Sequence, residues 1–319
     1  MSRSGAAMKI LVTGGAGFIG SHVVEAYVKA GHEVWVMDNL SRGHQESVDS
    51  RARFVRMDLG SPGLMDLFAE VGFDCVNHHA AQIDVRRSVA NPVLDATINI
   101  LGTVNLLEAV RAHGVPRFIF ASTGGAIYGA QRRFPATEEH PAVPLSPYGI
   151  TKLSVEHYLE YYRQVHGLHY TILRYANVYG PRQDPEGEAG VVAIFCERVL
   201  RRQRLTIYGE GNQTRDYVYV GDVARGNLLA LEYLTADRRA ASCASGGAGR
   251  RETALPIFNL GTGIETSVNA LAARVLEAAN MDSPISYQPR RPGEVERSAI
   301  DPSRARVELG WTPAMSLTE

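Results

Sequence analysis

One stretch near the start constrains this chain more than any other: Thr13-Gly14-Gly15-Ala16-Gly17-Phe18-Ile19-Gly20. It follows an apolar run, Met8–Thr13, and opens a helical pattern, Ile19–Ala30. A glycine-rich turn between strand and helix lets backbone N–H groups and a helix N-terminus approach a pyrophosphate. The spacing is G-x-x-G-x-x-G, a variant of the dinucleotide fingerprint, and such turns also arise for structural reasons alone. Asp38 strengthens the binding reading. It ends the run Glu33–Asp38, where an acid meets the adenosine ribose hydroxyls. A carboxylate there repels a 2′-phosphate and favours NAD over NADP, although Arg42 nearby could accept that phosphate. Asp58 closes the run Arg53–Met57 and faces either an adenine amino group or solvent.

Further apolar runs lie at Cys75–His78, Arg117–Ala121 and Thr171–Tyr175, with helical patterns at Gly63–Val71, Val93–Ala112 and Pro147–Val165. This alternation predicts βαβ units and a parallel sheet. The fold class is therefore α/β: a Rossmann-type doubly wound parallel sheet with a smaller α/β substrate-binding domain. We expect residues 1–176, with part of 216–260, in the first domain and 177–215 with 261–319 in the second. Gly180–Gly190 reads as a loop before a helix over Val191–Arg202. Thr235–Thr253 lacks periodicity and reads as a mobile surface insertion. Pro256–Leu260 returns as a strand and Val268–Ala279 as a helix.

A net charge of -1 gives no global pull toward nucleic acid or an anionic membrane. Cys75, Cys196 and Cys243 show neither metal-like spacing nor an even count, so the compartment reads as reducing. The opening MSRSGAA reads as a tail, and no apolar run is taken to reach transmembrane length. Together these predict a cytoplasmic protein. His78 and His79 are adjacent on a strand and point to opposite faces, which weakens any metal reading.

Tyr148 and Lys152 stand one helical turn apart on one face. A free phenol is a poor base at neutral pH, and a nearby cation stabilises its phenolate. Such a pair can take a proton from a hydroxyl while hydride leaves the same carbon. The chain has 33 basic side chains, of which only Lys9, Lys29 and Lys152 are lysines. A lysine retained here suggests that the chemistry needs a compact ammonium. Ser122-Thr123 follow the run Arg117–Ala121, at the carboxyl end of the sheet where such folds bind ligands.

Taken together, these residues resemble the extended short-chain dehydrogenase/reductase family, and within it the UDP-glucose 4-epimerase branch. The resemblance also covers Asp38-Asn39-Leu40, His78-His79-Ala80-Ala81, Asn99 with Gly102-Thr103-Val104-Asn105, Arg174 through Pro181, and Arg215-Asp216-Tyr217. It implies Tyr148 as the base, Lys152 as its partner and Thr123 as the assisting hydroxyl. It implies an NAD site formed by Gly14, Gly17, Phe18, Ile19, Gly20, Asp38, Asn39, Asp58, Leu59, Ala80, Ala81, Asn99, Tyr148, Lys152 and Tyr175. Asn177, Arg215 and Arg291 would hold the UDP of a UDP-sugar, and Tyr208 would pack on uracil. Glu294 belongs to a substrate-closing segment with Arg291, and Ser298 falls at the gatekeeper of the sugar pocket. The reaction implied is a 4-epimerisation through a transient 4-keto sugar, with NAD regenerated.

Gly124-Gly125-Ala126 follow Thr123, where similar dehydratases and decarboxylases carry acids, so neither activity is expected. A small Ser298 suggests that N-acetylated sugars fit. Two alternatives stay open. One is another NAD-dependent nucleotide-sugar enzyme, such as a uronic-acid epimerase, oxidoreductase or reductase. The other is a non-catalytic NAD-sensing module, against which the intact Thr123, Tyr148 and Lys152 argue. The helical segments Val93–Ala112 and Pro147–Val165 carry apolar residues on more than one face, including Leu106, Leu107, Val110, Leu153, Tyr158 and Tyr161. The resemblance implies a homodimer through a four-helix bundle. Related enzymes continue beyond Gly310-Trp311-Thr312-Pro313 into a final helix, so a short or truncated end is expected here.

Overall fold

The computed structural model describes residues 7–185, 190–243, 255–282, 284–290 and 295–319, with the backbone alone for 237–243. The chain opens with β1 (Lys9–Thr13), α1 (Phe18–Lys29), β2 (Glu33–Asp38), β3 (Arg53–Arg56), α2 (Leu64–Val71) and β4 (Cys75–His78). It continues with α3 (Val85–Ala90), α4 (Pro92–Ala96), a π turn (Thr97–Leu101) and α5 (Gly102–Ala112). Then come β5 (Arg117–Thr123), α6 (Gly124–Ile127), α7 (Pro147–His166), β6 (His169–Tyr175), β7 (Asn177–Tyr179) and α8 (Val191–Leu200). The remainder comprises β8 (Thr206–Tyr208), β9 (Thr214–Arg215), β10 (Tyr217–Tyr219), α9 (Val220–Cys243), β11 (Ile257–Leu260), β12 (Thr266–Ser267), α10 (Val268–Ala278) and β13 (Ser286–Gln288).

Seven strands form one sheet in the order β11-β6-β5-β4-β1-β2-β3, and every pair in it is parallel. This is the expected doubly wound fold. Successive side chains on β1 enter opposite layers: Ile10 and Val12 join Val23, Tyr27, Leu231 and Trp311 on the α1/α9 side. Leu11 joins Phe68, Leu107, Val155 and Leu159 on the α2/α5/α7 side. Both faces are covered, so the central strands are continuous apolar runs rather than alternating ones. A smaller core of Phe195, Leu205, Ile207, Tyr217 and Leu271 links α8, β8, β10 and α10.

Several expectations need correction. The helix expected over Val93–Ala112 is interrupted by the π turn. By length and composition, Pro92–Ala112 could also cross a membrane, contrary to the reading that no run reaches that length. In the fold, however, Leu106, Leu107, Ala109 and Val110 of this helix are buried in the α2/α5/α7 layer. That burial also removes Leu106, Leu107 and Val110 from any outer face. The exposed apolar residues on these helices are Val93, Leu101, Ile150, Tyr158, Tyr161 and Val165. Finally, α9 runs on to Cys243, so the first half of Thr235–Thr253 is helix; residues 244–253 lie outside the described residues.

Candidate active site

The strand order reverses between β1, which pairs with β2, and β4. Such a switch point opens a crevice at the carboxyl ends of the strands. The glycine turn leaves β1 there and Ala80-Ala81 leave β4. Gly14 has φ 69°, and a Cβ on it would lie 2.6 Å from the Ala80 amide nitrogen. A Cβ on Gly20 would strike the Gly14 carbonyl oxygen. Phe18, Ile19 and Gly20 form the first turn of α1, so its free N–H groups face the turn. A cradle that excludes side chains and presents helix amides fits a dinucleotide pyrophosphate.

Asp38 is buried and held on both oxygens, by Ala16 N at 3.1 Å and Leu40 N at 2.8 Å. A carboxylate has about four lone-pair sites, so it retains capacity for ribose hydroxyls. Asp58 accepts from Asn39 Nδ2 at 2.7 Å and from Gly60 N at 3.0 Å, so it is part of an ordered strand end. Leu59 is buried and its carbonyl is fixed by Asn105 Nδ2 at 2.5 Å. Arg42 leans toward Asp84, with Nη2 3.8 Å from Oδ2, which draws it away from the role of a 2′-phosphate receptor.

Helix α7 begins with Ser146 as N-cap, whose Oγ accepts from Gly149 N at 3.2 Å, and with Pro147 in its first turn. Tyr148, Lys152 and Glu156 follow at four-residue intervals along one face. Tyr148 is half-buried and its backbone N donates to Ser88 Oγ at 3.2 Å. Lys152 is buried, donates from Nζ to the Ala121 carbonyl at 2.8 Å, and lies 4.8 Å from the Phe120 ring centre. Burial pushes its pKa down, Asp95 and Glu156 push it back up, and the balance holds it at about 8. The structure thus brings Lys152 to the end of β5, whose last residue is Thr123. Across the sheet Thr123 is in register with Tyr175 of β6. A Cβ on Gly125 would lie 3.5 Å from Asn177 Oδ1 and 3.9 Å from Thr123 Oγ1, which places Asn177 beside the carboxyl end of β5.

Behind these groups lies a frame that joins Asn99, His78 and His79 to residues the sequence did not single out, among them Gln82, Asp95 and Glu156. Asn99, on the π turn, accepts from Gln82 N at 2.8 Å and donates from Nδ2 to Gln82 O, Asp95 Oδ1 and Thr151 Oγ1. Its hydrogen bonds thus join the loop after β4 to α4 and α7. His78 bridges Thr13 Oγ1 at 2.6 Å and Thr103 Oγ1 at 2.8 Å. Because Thr103 donates its own proton to Asn99 O, the consistent tautomer is neutral, with Nε2 protonated. Burial pushes the His78 pKa well down in agreement, and pushes that of His79 to about 3. His79 stacks on Tyr175 and meets its hydroxyl at 3.2 Å. Glu156 is paired with buried Arg174 and accepts from Ser122 Oγ at 2.6 Å.

The remaining expected residues that are described lie beside the smaller core. Tyr208 ends β8, in register with Gln288 of β13. Arg215 ends β9, opposite Thr266 of β12, and its Nη1 donates to Thr214 O. Asp216, just beyond it, is buried and accepts from Thr262, Gly263 and Ile300, which ties the segment around Ser298 to β10. Ser298 is buried. Arg291 and Glu294 lie outside the described residues.

A glycine cradle at the switch point, an acid closing β2, and a buried lysine at the end of β5 one helical turn beyond a tyrosine define a dinucleotide-dependent enzyme. Residues 10–241 match the NAD dependent epimerase/dehydratase family. The chain is 44% identical to a putative UDP-glucose 4-epimerase of Methanocaldococcus jannaschii, over 97% of this chain and 95% of that protein. It is also similar to the crystal structure of a Thermotoga maritima UDP-glucose 4-epimerase with UDP-glucose, with 46% identity, a TM-score of 0.88, and coverage of 98% and 96%. A Thermus thermophilus UDP-glucose 4-epimerase in complex with NAD gives 45% identity, a TM-score of 0.87, and the same coverage of 98% and 96%. The chain belongs to the NAD dependent epimerase/dehydratase family, and NAD is its cofactor.

Proposed function

We propose that this enzyme is a UDP-sugar 4-epimerase that interconverts UDP-glucose and UDP-galactose and also accepts the N-acetylated pair. The observation that carries the reading is the buried Lys152 one turn beyond Tyr148 at the end of β5, with glycines rather than acids after Thr123. Elimination of water needs an acid at that point; epimerisation does not.

Bound NAD supplies a hydride acceptor that returns the hydride to the same carbon. The chain's own residues do the rest. Gly14, Gly17 and the first turn of α1 hold the pyrophosphate, Asp38 the ribose, and Lys152 reaches the second ribose from α7. Tyr148 takes the proton of the sugar 4-hydroxyl, Lys152 stabilises the phenolate, and Thr123 donates a hydrogen bond to the reacting oxygen. Asn177, Arg215 and Arg291 anchor the UDP, with Tyr208 against uracil, while the 4-keto sugar turns over and regains its proton from Tyr148. In this reading residues 177–215 and 261–319 form the nucleotide-sugar-binding unit, and Glu294 closes over the substrate with Arg291.

The buried position and small size of Ser298 support the wider sugar range. Ser298→Tyr should depress turnover of UDP-N-acetylgalactosamine at least tenfold more than that of UDP-galactose, and equal losses would refute the assignment. The exposed stripe Ile150, Tyr158, Tyr161 and Val165 on α7, beside Val93 and Leu101, suits a homodimer through a four-helix bundle. Light scattering on the purified protein reads its mass directly. We place the enzyme in the cytosol, where its two described cysteines are free thiols.

The deciding experiment incubates the protein with UDP-galactose and UDP-N-acetylgalactosamine separately, resolving products by NMR while following NADH absorbance. The reading requires 4-epimers without accumulating NADH. No change in either sugar would overturn it and favour a uronic-acid or oxidoreductase activity.

A further inference from the structure

We propose that Asp95 is the counter-ion of Lys152, a positioning carboxylate on α4 that keeps the ammonium charged inside the core. Asp95 is fully buried. Its Oδ2 accepts from Thr151 Oγ1 at 3.0 Å, and its Oδ1 from Gln82 Nε2 at 2.8 Å and Asn99 Nδ2 at 3.1 Å. All three donors are uncharged. A carboxylate removed from water with neutral donors alone is costly, and it is retained where a cation balances it.

Charge accounting around Lys152 identifies that cation. Its own helix places Tyr148 and Glu156 one turn to either side, and Glu156 is already neutralised by Arg174 with a contact of 2.5 Å. From the end of β4 the field of Lys152 reaches His78 and His79, both kept neutral by burial. β5 offers the Ala121 carbonyl and the Phe120 ring. From α4 comes Asp95, the largest of the influences that favour the charged lysine. Among the described residues one uncompensated positive charge and one uncompensated negative charge remain, and Asp95 is hydrogen-bonded to Thr151, the residue next to Lys152. The carboxylate also fixes Gln82 and Asn99, so one group sets both the charge of Lys152 and the position of the loop behind the nicotinamide side of the cleft. The inference rests on Lys152 as the site's cation, but its test needs no sugar.

The chain has only three lysines, Lys9, Lys29 and Lys152, so lysine labelled with 13C at Cε gives three NMR signals in the NAD-loaded enzyme. Asp95→Asn should lower the Lys152 titration midpoint by about one pH unit, a tenfold loss of proton affinity. The alkaline limb of kcat should move with it. Thr151→Val, which removes a hydroxyl and no charge, should leave both in place. A Lys152 midpoint unchanged in Asp95→Asn overturns the proposal.

A second variant carries the test if Asp95→Asn does not fold. Lys152→Met strands the Asp95 carboxylate, so adding Asp95→Asn to it should raise its melting temperature at pH 8, although the same substitution lowers that of the wild type. A double variant Asp95→Asn/Lys152→Met no more stable than Lys152→Met overturns the pairing. An enzyme whose Lys152 titrates as described but which epimerises nothing refutes the function and leaves the ion pair standing.

Discussion

Glu156 and Arg174 hold the back of the site together, and replacing one without the other tests how strongly. Both are buried, with Arg174 Nη2 2.5 Å from Glu156 Oε2 and Nε 3.0 Å from Oε1. Ser122 Oγ donates to the same carboxylate, and Arg174 Nη1 donates to Tyr128 Oη at 3.0 Å. Glu156→Met leaves a guanidinium buried without its charge partner, which costs about 3–5 kcal/mol. Arg174→Met strands the carboxylate instead and should cost about as much. If the two losses were independent, the double variant Glu156→Met/Arg174→Met would lose about 6–10 kcal/mol. It removes both charges, however, and leaves chiefly the Ser122 hydroxyl without an acceptor, at about 1–3 kcal/mol, while Tyr128 keeps its bond to Asn259 Oδ1.

The double variant should therefore be no less stable than the worse single one, with a coupling energy of several kcal/mol. Urea unfolding at fixed NAD concentration, followed by the fluorescence of Trp35 and Trp311, measures all four corners of the cycle. Single losses that sum to the double within about 0.5 kcal/mol would refute the claim that these charges act as one unit. Because Ser122 precedes Thr123 and Arg174 precedes Tyr175, the single variants should also lose kcat at substrate saturation.

Two further outcomes follow from the same frame. Gly20→Ala sets a Cβ against the Gly14 carbonyl, so the purified variant should retain NAD at least tenfold more weakly, about 1.4 kcal/mol; full cofactor content after purification would contradict the cradle. His79 has a pKa near 3 in the folded protein against an ordinary 6.5, so below pH 6.5 the unfolded chain binds a proton that the folded one does not. Stability should then fall with pH by up to about 1.4 kcal/mol per unit for each such histidine, His78 included. His79→Leu should remove about 1 kcal/mol per pH unit from that slope between pH 6 and 5 in urea melts, and an unchanged slope would refute the assignment.

What the sequence revealed follows from which interactions are local. β1, β4, β5 and β6 stand out as apolar runs because both sheet faces are covered, and Tyr148 and Lys152 because a helix turn brings them to one face. Asp38 was legible from the known place of an acid after a second strand. Asp95 was not, since its partners Gln82, Asn99 and Thr151 come from a loop, a π turn and another helix. Glu156 carried a faint signal, four residues beyond Lys152, but its neutralisation by Arg174 depends on α7 packing over β6. The pairs β8–β13 and β9–β12 span two or three residues each, too short for a period-2 pattern. The continuation of α9 went unseen because the serine- and glycine-rich sequence after Cys243 masked a segment rich in good helix formers, alanine and arginine.

The near-exclusion of lysine leads to the sharpest substitution. Elsewhere arginine serves in two-pronged pairs near the surface, as in Arg51–Asp49, Arg111–Glu108 and Arg297–Glu265, where its planar fork matches a carboxylate. At position 152 the surroundings differ. One carbonyl, that of Ala121, and one ring, that of Phe120, face the cation, and in the proposed mechanism the side chain keeps donors for a cofactor ribose. A guanidinium has five N–H groups in a fixed plane and does not give up its charge. Lys152→Arg should therefore fold, keep NAD less tightly, and lose kcat by at least a hundredfold. It should also remove the alkaline limb that a lysine titrating at about 8 imposes on the wild-type profile. A Lys152→Arg enzyme that keeps both its rate and that limb would mean that the ammonium at 152 is not the titrating group.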